Sequence, residues 1–321
     1  TVPMTSSSSS ACSYMIYTSG STGHPKGVQL HHRGFFPPFP SSVASGALPS
    51  LAHGRFLQTV PCTFDNHVFE CLGLLCLGGS VQMLTPDGFY DLDYYSRCIH
   101  DGRITHLVNV PSFAQALVSF LLQIQTQSDS TSTSTPSMSN SNPSLNSSSG
   151  SNSSSRLASL LSYRLDGEMF PLTLARQIRT LIPAHCQLVN YYGPAECTDN
   201  CIRFEASQGW LNSQPHPDQS HGLPVPIGTA MHNAWIAVLT SSSGSDSLGS
   251  SGDFSGFQHW TPAGRPGELY IGGKGVFAGY LNRPDLTSSS IVHLPRISPS
   301  PLYRTGDLVR YDDHMQLVYV G

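Results

Sequence analysis

The eleven residues YTSGSTGHPKG, Tyr17 to Gly27, decide how the rest of the chain is read. Glycines at 20, 23 and 27 let the backbone approach a ligand closely, and Thr18, Ser19, Ser21 and Thr22 add hydroxyl donors between them. Lys26 contributes a mobile positive point charge. That inventory suits a polyphosphate. It is not the GxxxxGK[ST] loop, which needs Gly at 25 and Ser or Thr at 27, where the chain has Pro25 and Gly27. The short apolar run Tyr14–Tyr17 feeds the loop as a strand would.

Working outward, three further strings carry chemistry. In NYYGPAECT, Asn190 to Thr198, Tyr192 offers a ring that can stack on a purine, Gly193-Pro194 fixes a tight turn, and Glu196 can ligate Mg²⁺. PGELYIGGKGVFAGYLNRPDLT, Pro266 to Thr287, begins with a strand candidate at Glu268–Ile271. YRTGDLVRY, Tyr303 to Tyr311, places Asp307 after a Gly turn, where a carboxylate can accept from a pair of hydroxyls. Between these strings, Phe113–Gln123 reads as a buried helix after Pro111. Apolar residues at 172, 174, 175, 178, 181 and 182 recur at a helical period, and Gln187–Val189 reads as a strand. Alternating elements of this kind predict an α/β architecture.

Composition narrows the classes. The chain has 321 residues, a net charge of −4 and a pI near 6.4, so no basic field points to nucleic acid or an acidic membrane surface. No run of about 18 apolar residues and no basic segment ahead of an apolar one is present, which predicts neither a membrane span nor a secretory leader. The eight cysteines lack paired CxxC spacing, which predicts reduced thiols in a cytoplasmic protein, with Cys197 and Cys201 facing one another across a helical turn. Only 11% of residues are charged, partly because Ser-rich tracts dilute the rest. Two such tracts, near 126–155 and 240–256, lack the apolar surface to offset chain entropy and read as disordered insertions within one domain.

The Tyr17–Gly27 string is similar to the phosphate-binding signature of the adenylate-forming superfamily, which includes acyl-CoA synthetases, luciferases and the adenylation domains of nonribosomal peptide synthetases. The other three strings match that family's motifs in the required order. The resemblance implies the large N-terminal domain of the adenylate-forming fold: parallel-rich sheets packed with helices, plus a small β-barrel-like portion toward the C-terminus. It implies that residues 1–321 are a partial AMP-binding core. It also implies ATP bound by Thr18, Ser19, Gly20, Ser21, Thr22, Gly23, Lys26, Gly167, Asn190, Tyr192, Gly193 and Asp307, with Thr18, Lys26 and Glu196 acting in catalysis and Glu196 holding Mg²⁺. The family's GRxDxQVKxRG segment, and a catalytic lysine on a small C-terminal domain, would follow Gly321 and lie outside this sequence.

Two features select a branch. GYLNRPDLT resembles the peptide-synthetase version of its motif, and TFDNHVFE, Thr63 to Glu70, is similar to that branch's FDxSVxE, with His67 where the family has Ser. By resemblance Asp65 holds a substrate α-ammonium; a buried cation needs such a carboxylate, and breaking a buried pair costs roughly 3–5 kcal/mol. The other pocket positions carried over are Asn66, Phe69, Val108, Arg164, Asp166, Tyr191, Asp199 and Asn200. Such a lining is polar; if Arg164 answers one aspartate, another is left for a polar or cationic side chain. The implied activity is amino-acid adenylation with release of pyrophosphate, then transfer to the phosphopantetheine thiol of a carrier domain in the same polypeptide. Two alternatives stand beside it. A stand-alone acid–thiol ligase for a fatty or aryl acid is disfavoured by Asp65 and GYLNRPDLT. A decayed nucleotide-binding remnant is disfavoured by intact Lys26, Glu196 and Asp307.

Overall fold

The computed structural model describes residues 11–19, 24–35, 54–131, 156–219, 222–231, 234–240 and 259–321. Strands β1 (Cys12–Thr18) and β2 (Lys26–His31) pair antiparallel on either side of the Gly-rich loop, with Thr18 opposite Lys26. Residues 20–23 of that loop lie outside the described residues. The chain then builds its largest sheet. In chain order this sheet uses β3 (Arg55–Gln58), β4 (Ser80–Met83), β5 (His106–Asn109), β6 (Ser162–Leu165), β7 (Gln187–Tyr192), β8 (Ile202–Glu205) and β9 (Thr229–Ala230). The spatial order is β4-β3-β5-β6-β7-β8-β9, parallel from β4 through β7 and antiparallel at the β8–β9 edge.

The sequences of the central strands explain their place. HLVN and SYRL are buried at every residue, as strands covered on both faces must be. One face packs on helices Leu92–Asp101, Pro111–Thr131 and Leu172–Leu181, around a core that includes Tyr95, Leu107, Leu117, Tyr163, Leu165 and Ile178. The first helix is capped by the Asp91 carboxylate, which accepts from the backbone N–H groups of Asp93 and Tyr94. The third buries Leu172, Leu174, Ala175, Ile178 and Leu181 on one stripe, the period expected from sequence.

The C-terminal third forms a six-stranded antiparallel sheet from β10 (Ala234–Thr240), β11 (His259–Trp260), β12 (Gly267–Gly273), β14 (Ile291–Val292), β15 (Leu302–Tyr311) and β16 (Leu317–Tyr319). This is the counterpart of the barrel-like portion. Between β12 and β14, β13 (Gly279–Tyr280) leaves this sheet and joins β2, making a three-stranded sheet β1-β2-β13. A second core, with Val28, Leu30, Cys197, Ile202, Leu269, Ile271, Phe277 and Tyr280, ties the small sheet to the C-terminal one.

Two expectations are corrected. The helix after Pro111 continues to Thr131, so the first insertion does not begin at 126; the buried stripe of Ala114, Leu117, Val118 and Leu121 carries helix into the polar residues that follow. The remainder of that tract, 132–155, and residues 241–258 of the second lie outside the described residues. Cys197 and Cys201 do meet through their side chains, but not across a helical turn: a 3₁₀ turn, Ala195–Cys197, ends at Thr198, whose φ of 58° is left-handed. Both thiols are buried and free.

Candidate functional site

The carboxyl ends of β6 and β7 open onto a cleft of about 300 Å³. Ligands of open α/β sheets gather at such strand ends. Gly167 follows β6 with φ of +76°, which suits a residue without a Cβ, and Gly193 follows β7. Any Cβ at Gly193 would stand 2.1 Å from the Asp199 carbonyl oxygen, so only glycine allows the two loop segments to meet. Gly167, Asn190, Tyr192, Gly193 and Asp307 all line this cleft. Five expected nucleotide residues from three distant segments therefore converge.

Their polar groups are already engaged. The Tyr192 hydroxyl donates to Asp307 Oδ2. Asn190 Nδ2 donates to the Val225 and Pro226 carbonyls at 3.2 and 2.9 Å, so its amide fastens the cleft wall. Burial raises the Asp307 carboxyl above its ordinary range, and the Tyr192 bond opposes that rise. Tyr319 lines the same cleft, and its hydroxyl also bonds Asp307. Sequence reading missed it, because a lone tyrosine at the chain's end carries no motif.

Thr18 and Lys26 sit opposite one another at the mouth of the β1–β2 hairpin. Thr18 Oγ1 is buried with no hydrogen-bond partner among the described residues, and Ser19 is exposed. Gly20, Ser21, Thr22 and Gly23 lie outside the described residues. Lys26 Nζ stands 4.9 Å from the centroid of the Tyr280 ring. Glu196 is 6% exposed, and its Oε1 accepts from the Tyr280 hydroxyl at 2.6 Å. Among the described residues no group of three His, Cys, Asp or Glu side chains could cage a metal. A single hard carboxylate does suit Mg²⁺, which keeps several waters and takes the rest of its ligands from phosphates. Glu196 fits that partial role and no fuller one.

A second, more unusual cluster adjoins the cleft. Asp65 caps the short helix Asn66–Val68: its Oδ1 accepts from the Asn66 N–H at 3.0 Å, while Oδ2 is buried and has no hydrogen-bond partner among the described residues. Asn66 Nδ2 donates to Asp166 Oδ2 at 3.0 Å. Asn200 Nδ2 reaches Asp199 Oδ1 at 3.0 Å, Asn66 Oδ1 at 3.3 Å and Asp166 Oδ2 at 3.4 Å. Arg164, 3% exposed, lies over the rings of Phe69 and Tyr191, at 4.6 and 5.0 Å, and its Nε and Nη2 are buried without hydrogen-bond partners among the described residues. Val108 packs with Phe56 and Phe69 beneath it. All nine expected pocket residues thus belong to one neighbourhood, with Tyr191 shared between pocket and cleft.

Electrostatically the cluster is loaded. Burial raises all three aspartates; Asp166 reaches about 6, with Asp65 adding to the rise and the Asn200 bond and Arg164 opposing it. Beside them sits Glu70, fully buried, whose carboxylate accepts from Thr59 N at 3.1 Å, Thr59 Oγ1 at 2.8 Å and Val60 N at 2.9 Å. Burial pushes it to about 7. The sequence motif contained Glu70, but only the fold shows that it clasps the end of β3 to the segment carrying Asp65.

Comparison with known proteins gives the family and the fold. The family described as "AMP-binding enzyme" matches residues 2–281. Tyrocidine synthase 3 of Brevibacillus parabrevis is 30% identical over 314 residues, covering 96% of this chain; the chain spans only 4% of that relative's length. Among solved structures, the N-terminal subdomain of Klebsiella oxytoca NpsA in complex with 3-hydroxybenzoyl-AMSN superposes with a TM-score of 0.70 at 21% identity, covering 98% of this chain and 64% of that one. An artificially fused adenylation–PCP di-domain, NpsA-ThdA, gives a TM-score of 0.68 at 22% identity over 98% and 51%. At those identities the structural likeness establishes the fold.

Proposed function

We propose that this chain, which belongs to the AMP-binding enzyme family, is an adenylate-forming ligase that activates an amino acid with ATP for transfer to a carrier thiol. The observation that carries the amino-acid half is Asp65 Oδ2, a buried carboxylate oxygen without a partner beside the nucleotide cleft. An unmet buried acceptor costs roughly 1–3 kcal/mol, more for a charged group, and a substrate α-ammonium removes that cost. An aryl acid is the second reading, since the NpsA structure holds a 3-hydroxybenzoyl group. Such an acid leaves Asp65 Oδ2 unmet.

In the proposed reaction the substrate carboxylate oxygen attacks the α-phosphorus of ATP. A new O–P bond forms, the bond to the bridging oxygen breaks, and pyrophosphate leaves. Lys26 and Thr18, paired across the hairpin mouth, would orient and neutralise the departing phosphates. Glu196 would hold Mg²⁺, which when bound offsets phosphate charge. Asp307, set by Tyr192, would accept from the ribose hydroxyls, with Gly167, Asn190 and Gly193 shaping the base site. In a second step a phosphopantetheine thiol of a carrier domain in the same polypeptide takes the acyl group, and AMP leaves.

The side-chain end of the pocket is polar. Asp199, with one oxygen on Asn200, favours a polar or cationic side chain over an aliphatic one, whereas the two unmet N–H donors of Arg164 favour an acceptor on that side chain. Amino-acid-dependent pyrophosphate exchange tests both statements. Exchange with polar or cationic amino acids supports them. Exchange with Leu, Val or Phe alone rejects the polar pocket, and exchange only with acids lacking an α-amino group rejects the amino acid.

A further inference from the structure

The segment Gly275–Tyr280 braces the turn that carries Glu196. The Phe277 N–H donates to the Glu196 carbonyl at 2.8 Å, Thr198 Oγ1 donates to the Gly275 carbonyl at 2.6 Å, and the Tyr280 hydroxyl donates to Glu196 Oε1 at 2.6 Å. The braced turn is strained: Thr198 and Asp199 have φ of 58° and 64°. A β-branched residue in that region is rare, and such strain persists only where neighbours over-determine it. Tyr280 itself is held by β13, where it faces Val28 of β2, and its N–H donates to Thr287 Oγ1 at 2.9 Å. That register sets its ring under Lys26, two residues along β2. One side chain thus meets the phosphate-loop lysine over its ring face and the candidate metal carboxylate through its hydroxyl.

We propose that Tyr280 is a positioning residue that locks Glu196 in the rotamer presenting its other oxygen, Oε2, to the metal–phosphate site while supporting Lys26 from below. The proposal rests on the adenylate-forming reading above. A hydroxyl bonded to one carboxylate oxygen leaves the second free and fixes its direction. Without that bond the carboxylate rotates, and the metal must order it on binding. The ring contributes separately, because a cation over an aromatic face is held weakly in place.

The test uses the full chain, Mn²⁺ and a non-hydrolysable ATP analogue, with bound Mn²⁺ read by electron paramagnetic resonance. Tyr280→Phe keeps the ring and removes the hydroxyl. It should raise the Mn²⁺ concentration for half-saturation about tenfold, the scale of one charge-assisted hydrogen bond. AMP affinity and the metal-free affinity for the analogue should be unchanged. Tyr280→Leu should in addition weaken metal-free binding of the analogue about threefold. In a Glu196→Gln background, Tyr280→Phe should cause no further shift, since both act through one carboxylate. An unchanged half-saturation in Tyr280→Phe, or shifts that add in the double variant, would overturn the proposal, as would a loss of AMP binding equal to the loss of Mn²⁺. A wild-type chain that takes up no Mn²⁺ with the nucleotide analogue would instead overturn the adenylate-forming reading on which it rests.

Discussion

The cleft lined by Asp307 and the acidic cluster around Asp65 lie side by side near the carboxyl ends of the same sheet, yet their polar groups are in opposite states. In the cleft nearly everything is paired: Tyr192 with Asp307, Asn190 with two carbonyls. In the cluster, Asp65 Oδ2 and Arg164 Nε and Nη2 have no hydrogen-bond partner among the described residues, and burial raises all three aspartates above their ordinary range. A paired, preorganised cleft needs little reorganisation to receive its ligand. An unpaired buried cluster is costly until something completes it. On the proposed reading, the side that receives the nucleotide is the settled part, and the side that receives the substrate is the part left open.

That contrast can be broken by substitution. The largest effect belongs to the open side: Asp65→Ala should cut amino-acid-dependent exchange about 100-fold or more while ATP affinity, measured calorimetrically, stays the same. Equal losses in both would erase the distinction between the regions. Asp307→Ala should weaken nucleotide binding about tenfold to a hundredfold, from charge-assisted bonds of about 1.5–3 kcal/mol, and leave the preference among amino acids unchanged. Tyr192→Phe should cost only a few-fold in nucleotide affinity, because it removes the group that orients Asp307 and not Asp307 itself.

A slower test uses pH. Glu70 stands at about 7 in the fold against an ordinary value of 4.5, so the folded chain binds this proton more tightly than the unfolded chain. Stability is therefore fullest below the ordinary value and falls as pH rises from about 4.5 to about 7, by an amount on the order of 3 kcal/mol if Glu70 acts alone. Asp166, raised to about 6, tilts the curve the same way. Glu70→Gln should flatten the fall in urea-unfolding free energy between those pH values. A slope equal to that of the parent chain would show that Glu70 is not its source.

Legibility followed the same division. Lys26, Glu196 and Asp307 stood out in the sequence because each sits in a motif whose glycines and charges have few other uses; the fold puts Asp307 on the cleft and Lys26 and Glu196 both against Tyr280. The strand–helix alternation was readable from runs such as Gln187–Val189 and the 172–182 stripe. What could not be read were the pairings across sequence distance. Tyr280 is 84 residues from Glu196, and Glu70 meets Thr59 only because β3 ends beside the Asp65 helix. The helix through 126–131 escaped notice because Gln, Ser, Thr and Asp show no apolar period, although propagation from a buried stripe carries them.

The central claim, that Asp65 reads an α-ammonium, is tested most directly by pyrophosphate exchange with an activated amino acid and with the same acid lacking its amino group. The parent chain should favour the amino acid by about 100-fold or more, and Asp65→Ala should collapse that ratio toward one by losing the amino acid alone. A ratio that survives the substitution, or a parent chain that uses both acids equally, would contradict the account.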